Sequence, residues 1–219
     1  MVGRTVVDAC FGRCHSGRMS KLTSVCVYCG SRTGENPAYE KAAQGLGEAL
    51  ASSNIRLVYG GGSVGLMGTV ARACLDAGGK VTGVIPRFLE EREVMLRRVE
   101  DLVITDDMHE RKRRMFEEAD AFVALPGGIG TLEELVEMIT WAQLGRHKKP
   151  VLLADIGGFW GPLTELMDHM IDEGFITEQT MIRYLITEDV SQIVPKLREE
   201  VASYSETALE GDEDTLERL

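Results

Sequence analysis

The sequence predicts an α/β fold in which helices cover both faces of a parallel β-sheet. Apolar, strand-like runs alternate with helical patterns from one end of the chain to the other, and this alternation is typical of a parallel sheet. A length of 219 residues suits one domain of this class and can bury a sizeable core. Ligands of such sheets bind at the carboxyl ends of the strands, near the point where the strand order reverses.

The predicted elements follow one another without an internal repeat. Predicted strands cover residues 24–29, 56–59, 80–86, 102–105, 121–125, 151–154 and 184–187. Predicted helices cover residues 37–52, 64–77, 108–119, 130–144, 162–173 and 190–202. Pro37 suits a first helical turn, Gly78-Gly79 suits a helix end, and residues 87–100 form a charged segment after the third strand. The order of elements therefore predicts a Rossmann-like, doubly wound sheet.

Composition and charge narrow the function classes. The net charge is −11, which argues against a nucleic-acid partner, because such proteins usually carry a basic surface. No apolar run approaches the roughly 18 residues that a membrane span needs, so no membrane association is expected.

The two ends differ from the rest in charge. Residues 1–18 carry three arginines against Asp8 and no apolar signal-peptide segment. Because Met19 precedes a strand pattern, we expect residues 1–18 to be a disordered leader or a mis-assigned start. Residues 199–219 carry eight acids against Arg218, and we expect a solvated acidic tail over residues 203–219. The single nucleotide-binding catalytic domain is then predicted to span residues 19–202.

The five cysteines favour a reducing compartment over metal chemistry. Cys26 and Cys29 are spaced as C-x-x-C, but Cys26 lies within a predicted strand, and Cys10 and Cys14 fall in the leader. A zinc site would need a second well-spaced pair. We therefore expect buried thiols, no metal, no cofactor and a cytoplasmic location.

Three glycine-bearing turns lie at predicted strand ends, and each leads to a helix. These turns are Gly30-Ser31, Gly60-Gly61-Gly62-Ser63 and Pro126-Gly127-Gly128-Ile129-Gly130-Thr131. Free N–H groups at a helix start suit a phosphate, although any one turn could simply connect its strand and helix. Three turns at one edge of the sheet favour a nucleotide.

The turns lack the features of a dinucleotide site and of a Walker loop, which narrows the kind of nucleotide they could bind. Residues 60–65 match the dinucleotide pattern G-x-G-x-x-G, but they follow the second strand, and the next strand ends in Pro86-Arg87 rather than an acid. No Gly-Lys-Ser/Thr of a Walker loop is present. A nucleoside carrying a single phosphate fits better than a dinucleotide.

Arg111 and Lys112 are the first charged candidates. Within residues 108–119, both fall on or beside the apolar stripe that includes Met108 and Met115. A cation on a buried stripe needs an anionic partner, which could be an internal carboxylate or a bound ligand. Arg113 and Arg114 are predicted to face solvent.

Glu134 is the carboxylate candidate, and two interpretations of it stay open. Thr131 and Glu134 could form a capping box, in which each satisfies a backbone donor of the other. The helical wheel, however, places Leu135 and Val136 on one apolar face and Glu134, Met138 and Trp141 on the opposite one. A helix covered on both sides predicts a half-buried Glu134 near a subunit contact, and hence at least a homodimer.

The motifs together resemble one family. The segment Pro126-Gly-Gly-Ile-Gly-Thr-Leu-Glu-Glu134 fits P-G-G-x-G-T-x-x-E, the signature of the Lonely Guy (LOG) family of cytokinin-activating phosphoribohydrolases. The similarity extends through Cys29-Gly-Ser, residues 58–68, residues 83–86, Met108-His-Glu-Arg-Lys112 and residues 139–145. It covers roughly residues 22–202 and leaves out the leader and the acidic tail.

The resemblance implies hydrolysis of the N-glycosidic bond of adenosine 5′-monophosphate or its N6-prenylated form. It implies that Arg111 and Glu134 are catalytic. Together with the turns, it implies that the nucleotide contacts the following residues: Ser31, Gly61, Gly62, Ser63, Glu93, Met108, Lys112, Gly127, Gly128, Ile129, Gly130, Thr131, Leu132, Glu133 and Thr140. Members of the family are often labelled lysine decarboxylases, but the resemblance argues against pyridoxal phosphate.

Two functions other than the hydrolase stay open from the sequence. The same fold with a related loop resembles molybdenum-cofactor carrier proteins, which would make the chain a non-catalytic nucleotide or cofactor carrier. An NAD-dependent oxidoreductase is disfavoured by the missing acid after the third strand. For the hydrolase, a carboxylate near the sugar would stabilise an oxocarbenium-like transition state or deprotonate the attacking water, and Glu134 is the motif acid placed for that role.

Overall fold

The computed structural model describes residues 21–90, 96, 98–99, 101–177 and 183–203. Seven strands form one sheet: β1 (Ser24–Tyr28), β2 (Arg56–Tyr59), β3 (Val81–Pro86), β4 (Asp101–Thr105), β5 (Ala121–Ala124), β6 (Val151–Ala154) and β7 (Leu185–Thr187). Their order across the sheet is β4-β3-β2-β1-β5-β6-β7, and each neighbouring pair is parallel. The predicted fold class is confirmed.

The helices lie between the strands in the predicted sequence. Their bounds are α1 (Pro37–Ser52), α2 (Gly65–Asp76), α3 (Arg87–Glu90), α4 (Met108–Glu117), α5 (Ile129–Gln143), α6 (Gly161–Asp172) and α7 (residues 193–203). Pro37 occupies the first turn of α1, which Asn36 caps by accepting from the N–H of Ala38. None of the described helices is both long and apolar enough to cross a membrane.

Both faces of the sheet are buried, and alternate strand residues serve opposite faces. Val25 and Val27 of β1 belong to the core beneath α1, α2 and α7, whereas Cys26 and Tyr28 belong to the core beneath α4, α5 and α6. Successive side chains of a strand point to opposite faces, so continuous apolar runs are required where both faces are covered. The doubly wound arrangement follows from this pattern.

The strand order reverses beside β1, which has β2 on one side and β5 on the other. The turns that follow these strands meet there: the N–H of Gly30 donates to Pro126 O at 3.1 Å, and the N–H of Leu66 donates to Gly30 O at 3.0 Å. The crevice expected at a topological switch point is thus lined by the predicted glycine turns.

Two details differ from the sequence prediction. The charged segment after β3 begins with the short helix α3, which a 3.6-residue periodicity cannot reveal in four residues. The last helix begins with a 3₁₀ turn, Val190–Gln192, capped by the side chain of Asp189, before α7 continues. The predicted leader and the tail beyond residue 203 lie outside the described residues.

Candidate active site at the carboxyl ends of the central strands

Arg111 is held at the carboxyl ends of β2 and β3 by the local structure of α4. Asp107 caps this helix by accepting from the N–H of Glu110 at 2.8 Å, so that Arg111 falls in the second turn. Its side chain is buried; Nε donates to Val84 O at 3.2 Å and Nη2 donates to Gly60 O at 3.5 Å. The guanidinium is therefore oriented by backbone carbonyls of two neighbouring strands.

Gly60 has a steric role in placing this arginine. A Cβ at residue 60 would overlap the Arg111 guanidinium. The first glycine of the second turn therefore makes room for a side chain of the same chain. The next residue, Gly61, adopts φ +83°, a backbone conformation that favours glycine.

Glu134 faces Arg111 from α5. The residue as a whole is 9% exposed, and its Oε1 lies 3.3 Å from Arg111 Nη1. The helix begins at Ile129 with Gly128 as its N-cap, and no side chain caps it. The capping box of Thr131 and Glu134 that the sequence allowed is thus not formed.

Burial dominates the electrostatics of this carboxylate. Removal from water raises the pKa of Glu134 above its ordinary value, and the nearby carboxylates of Glu133 and Glu137 raise it further. The positive charges of Arg111 and Lys112 act in the opposite direction, but the net shift of the pKa is upward. A carboxyl group whose pKa is shifted by burial and by a specific charged partner is typical of functional sites.

Lys112, the residue after Arg111 on α4, makes a second set of contacts between α4 and α5. Its Nζ donates to Glu133 Oε1 at 2.5 Å and to Glu137 Oε1 at 3.0 Å. Burial acts to lower the pKa of Lys112, but these two carboxylates outweigh it and the pKa is raised. Lys112 and Glu133 were predicted from the sequence but Glu137 was not, although Glu137 lies one turn beyond Glu134 on α5.

The predicted faces of α5 require a correction. Met138 is buried in the core of its own chain, and Trp141 packs edge-on against Phe116 with a ring separation of 5.2 Å. Neither supports a subunit contact as predicted, and Val136, expected on the core side, is 41% exposed. The buried stripe follows the spacing i, i+3, i+4, i+7, i+8: Thr131, Glu134, Leu135, Met138 and Ile139.

The turn before α5 is open on the side of the switch-point crevice. A Cβ at Gly128 or Gly130 would have no heavy atom within 4 Å, whereas one at Gly127 would overlap the side chain of Thr131. The first N–H groups of an α-helix have no intrahelical partner. The open glycines therefore allow a ligand to approach N–H groups at the start of α5.

A cavity of about 370 Å³ adjoins this turn. Its lining consists of Gly30, Ser31, Arg32, Thr33, Gly34, Tyr39, Leu66, Pro126, Gly127, Gly128 and Phe159. The volume lies within the range of small-molecule sites. Its aromatic wall, in which Tyr39 and Phe159 meet edge to face at 5.7 Å, was not predicted from the sequence.

The remaining predicted residues divide into four groups. Met108 and Leu132 are half-buried near the ion pairs, with Met108 Sδ 4.0 Å from Arg111 Nη1. Gly62 and Ser63 complete the second turn, and Ser63 O accepts from Arg72 of α2 at 2.7 Å. Thr140 lies on the exposed face of α5, away from the stripe that carries Glu134. Glu93 lies outside the described residues.

The described cysteines are all free thiols buried in the protein. Burial raises the pKa of Cys26 and Cys29 well above the usual thiol range and that of Cys74 to about 11. In the described part of the chain, no group of three or more His, Cys, Asp or Glu side chains could hold a metal ion. Cys10 and Cys14 lie outside the described residues.

Comparisons with known proteins identify the relatives of this chain. A family model described as "Possible lysine decarboxylase" matches residues 67–197. The Oryza sativa protein "Cytokinin riboside 5′-monophosphate phosphoribohydrolase LOG" is 49% identical over 187 residues, which cover 85% of this chain and 77% of that protein. Its Arabidopsis thaliana relative LOG7 is 43% identical over 200 residues, covering 91% and 92%.

Solved structures supply a more distant comparison. The molybdenum cofactor carrier protein of Chlamydomonas reinhardtii matches with a TM-score of 0.63 at 22% identity, covering 83% of this chain and 99% of that one. At this identity the match shows a shared fold only. The closer sequence matches, which span most of both proteins, show that the chain belongs to the Lonely Guy (LOG) family.

Proposed function

We propose that the protein is an N-glycosidase that hydrolyses adenosine 5′-monophosphate, or an N6-modified form of it, to the free base and ribose 5-phosphate. The observation that carries the proposal is the buried ion pair of Arg111 and Glu134, 3.3 Å apart, beside the open glycine turn that starts α5. Relatives that are 42–49% identical are named cytokinin riboside 5′-monophosphate phosphoribohydrolases, which supports this substrate class.

Glu134 has the properties that the chemistry requires. Cleavage of the glycosidic bond develops positive charge on the sugar ring, which a nearby carboxylate can stabilise, and a carboxylate can also deprotonate the attacking water. A buried carboxylate interacts with this charge more strongly than a solvated one, because there is less water to screen it. In the proposed mechanism, Glu134 acts as an ionised carboxylate beside the anomeric carbon.

Arg111 would position the nucleotide and keep Glu134 ionised. Its guanidinium is fixed by Val84 O and Gly60 O before substrate arrives, so little reorganisation is needed when the site is occupied. Without this positive charge, burial would favour the protonated form of Glu134 still more.

The 5′-phosphate is proposed to bind at the start of α5. N–H groups of Ile129, Gly130 and Thr131 lie in the first turn, where the helix dipole also favours an anion. Gly128 and Gly130 leave the approach open, and Ser31 lines the adjoining cavity. Fixed amide donors suit a phosphate on a protein whose net charge is −11, because they bind it without a general attraction for polyanions.

A homodimer is also proposed, on grounds different from those of the sequence analysis. Three apolar side chains lie on the exposed side of α5 and its C-cap: Ile129 at 83%, Val136 at 41% and the C-cap residue Leu144 at 71% exposure. Exposed apolar patches mark contact surfaces, and Thr140 lies on the same face. The cytoplasmic location, and the lack of nucleic-acid or membrane partners, stay predictions.

The deciding experiment is incubation of the protein with AMP and, separately, with N6-isopentenyladenosine 5′-monophosphate, followed by chromatography of the bases. We expect free base and equimolar ribose 5-phosphate from at least one substrate. Tight binding of a nucleotide with no base released would contradict the hydrolase and support a carrier. The ratio of kcat/KM for the two substrates identifies the preferred base.

A further inference from the structure

Lys112 is held between two carboxylates of α5, and the two contacts differ in their surroundings. The side chain of Lys112 is 11% exposed, that of Glu137 is 23% exposed and that of Glu133 is 54% exposed. A solvent-exposed ion pair contributes little because water screens it and the side chains remain mobile. Glu137 is therefore the more persistent anchor of the lysine.

The Lys112–Glu137 pair runs alongside the catalytic pair. Arg111 and Lys112 are consecutive on α4, and their partners Glu134 and Glu137 are three residues apart on α5. Residues at this spacing are neighbours on one side of a helix. The two ion pairs thus connect the same helices at adjacent points, and Glu137 sets the position of Lys112 relative to Glu134.

Within the described part of the chain, one donor of the Lys112 ammonium group is left for a ligand. A lysine ammonium has three N–H donors, and the carboxylates of Glu133 and Glu137 accept two of them. Glu137 Oε2 is buried and has no hydrogen-bond partner among the described residues. A buried, unpaired oxygen is costly, so a carboxylate at residue 137 needs a compensating interaction, and its described hydrogen-bond partner is Lys112.

We propose that Glu137 is a positioning residue of the site, which acts on the nucleotide through Lys112 by holding its ammonium group beside α5 with one N–H free for a substrate oxygen. This rests on the proposed function, in which Lys112 contacts the nucleotide. Glu137 itself does not contact the substrate. Its loss should weaken binding of the nucleotide and leave the chemical step at Glu134 largely unchanged.

The test is a double-mutant cycle of Glu137→Ala and Lys112→Met, measured as kcat and KM for AMP. We expect Glu137→Ala to raise KM about tenfold, the size expected for one hydrogen bond to a charged group, with kcat within about twofold. In the Lys112→Met background, the same substitution should have no further effect on KM, because the residue through which it acts is gone.

Two further variants separate positioning from a structural role. Glu137→Gln keeps an oxygen that can accept from Lys112 and should restore KM to within about threefold of the wild type. Glu117→Gln, a change of an exposed acid at the end of α4, should leave both constants unchanged. An equal loss of kcat in Glu137→Ala, or additive effects of Glu137→Ala and Lys112→Met on KM, would overturn the proposal.

A binding measurement keeps this inference distinct from the proposed function. If the wild-type protein releases no base from AMP, the proposed hydrolase fails, but calorimetry of AMP binding still tests Glu137. The dissociation constant should then follow the same cycle, rising about tenfold in Glu137→Ala and not further in the double variant. An unchanged dissociation constant in Glu137→Ala would overturn the inference whatever the activity.

Discussion

The two faces of α5 both depart from those of an ordinary amphipathic helix. The buried face carries Thr131 and Glu134 among its apolar residues, at 5% and 9% exposure. The opposite face exposes Ile129, Val136 and Leu144 to water. The buried carboxylate of Glu134 already pairs with Arg111, whereas the exposed apolar side chains favour a partner molecule. The proposed function assigns the substrate to the buried face and a second copy to the exposed one.

The largest expected effect comes from the buried face. Glu134→Gln keeps the shape of the side chain but cannot carry the charge, and we expect kcat to fall by about 10²- to 10⁴-fold, the range for a positioned acid or base. Release of adenine from AMP is the measurement, and AMP binding measured by calorimetry should persist. Glu117→Gln is the control for a lost acidic charge. Full activity in Glu134→Gln would show that the buried carboxylate is not needed for catalysis.

A second change acts on Arg111, the partner of Glu134, without replacing either of these residues. Gly60→Ala places a methyl group where the Arg111 guanidinium lies, so the arginine must move away from Glu134. We expect kcat/KM to fall by about 10- to 100-fold, as for a misplaced catalytic group. Gly45→Ala is the control, because its Cβ would meet Val190 at 3.5 Å, an ordinary contact. Equal kinetics in both variants would contradict the steric role of Gly60.

The exposed face is tested by adding a charge. Leu144→Glu should weaken the proposed dimer by about tenfold or more, since a charge at an apolar contact is left without a partner. Light scattering after size-exclusion chromatography over a range of concentrations measures this. Leu166→Glu adds the same charge at an exposed position of α6 and should leave the assembly intact. Dissociation by Leu166→Glu alone would place the interface elsewhere.

Gly130 lies in the first turn of α5. Its replacement should stabilise the fold but weaken ligand binding. Gly130 does not have a positive φ and has open space around it, so Gly130→Ala should stabilise the fold by about 0.4–1 kcal/mol. The added methyl group would obstruct the phosphate and raise KM about tenfold. Gly161→Ala at the start of α6 should stabilise similarly with no change in KM. An unaltered KM in Gly130→Ala would contradict the phosphate site.

The smallest expected effect is on the pH profile. Because burial raises the pKa of Glu134, activity that needs its ionised form should fall at a pH above the ordinary range for glutamate as the solution is acidified. The negative charge of Glu133 also raises this pKa, so Glu133→Gln should move the acid limb of kcat/KM to lower pH by a fraction of a unit. A shift to higher pH would contradict this electrostatic account.

Local sequence patterns predicted most of the elements because they depend on nearby residues. Strands with both faces buried read as continuous apolar runs, and the glycine turns at their ends indicated the edge at which a site would lie. The spacing from Met108 to Met115 correctly predicted that Arg111 is buried while Arg113 and Arg114 face water. The motif around Glu134 also identified the family before any contact was known.

The sequence by itself therefore determined the fold class and the family, and it predicted the edge of the sheet for the proposed site and the roles of Arg111 and Glu134. Only the tertiary structure decided which side of α5 is buried, because the rotation of a helix over a sheet depends on packing with residues distant in sequence. Contacts between elements decided the rest: Gly60 against Arg111, Lys112 against Glu137, and Tyr39 against Phe159. Each joins residues more than 20 positions apart, where no local periodicity can report their distance.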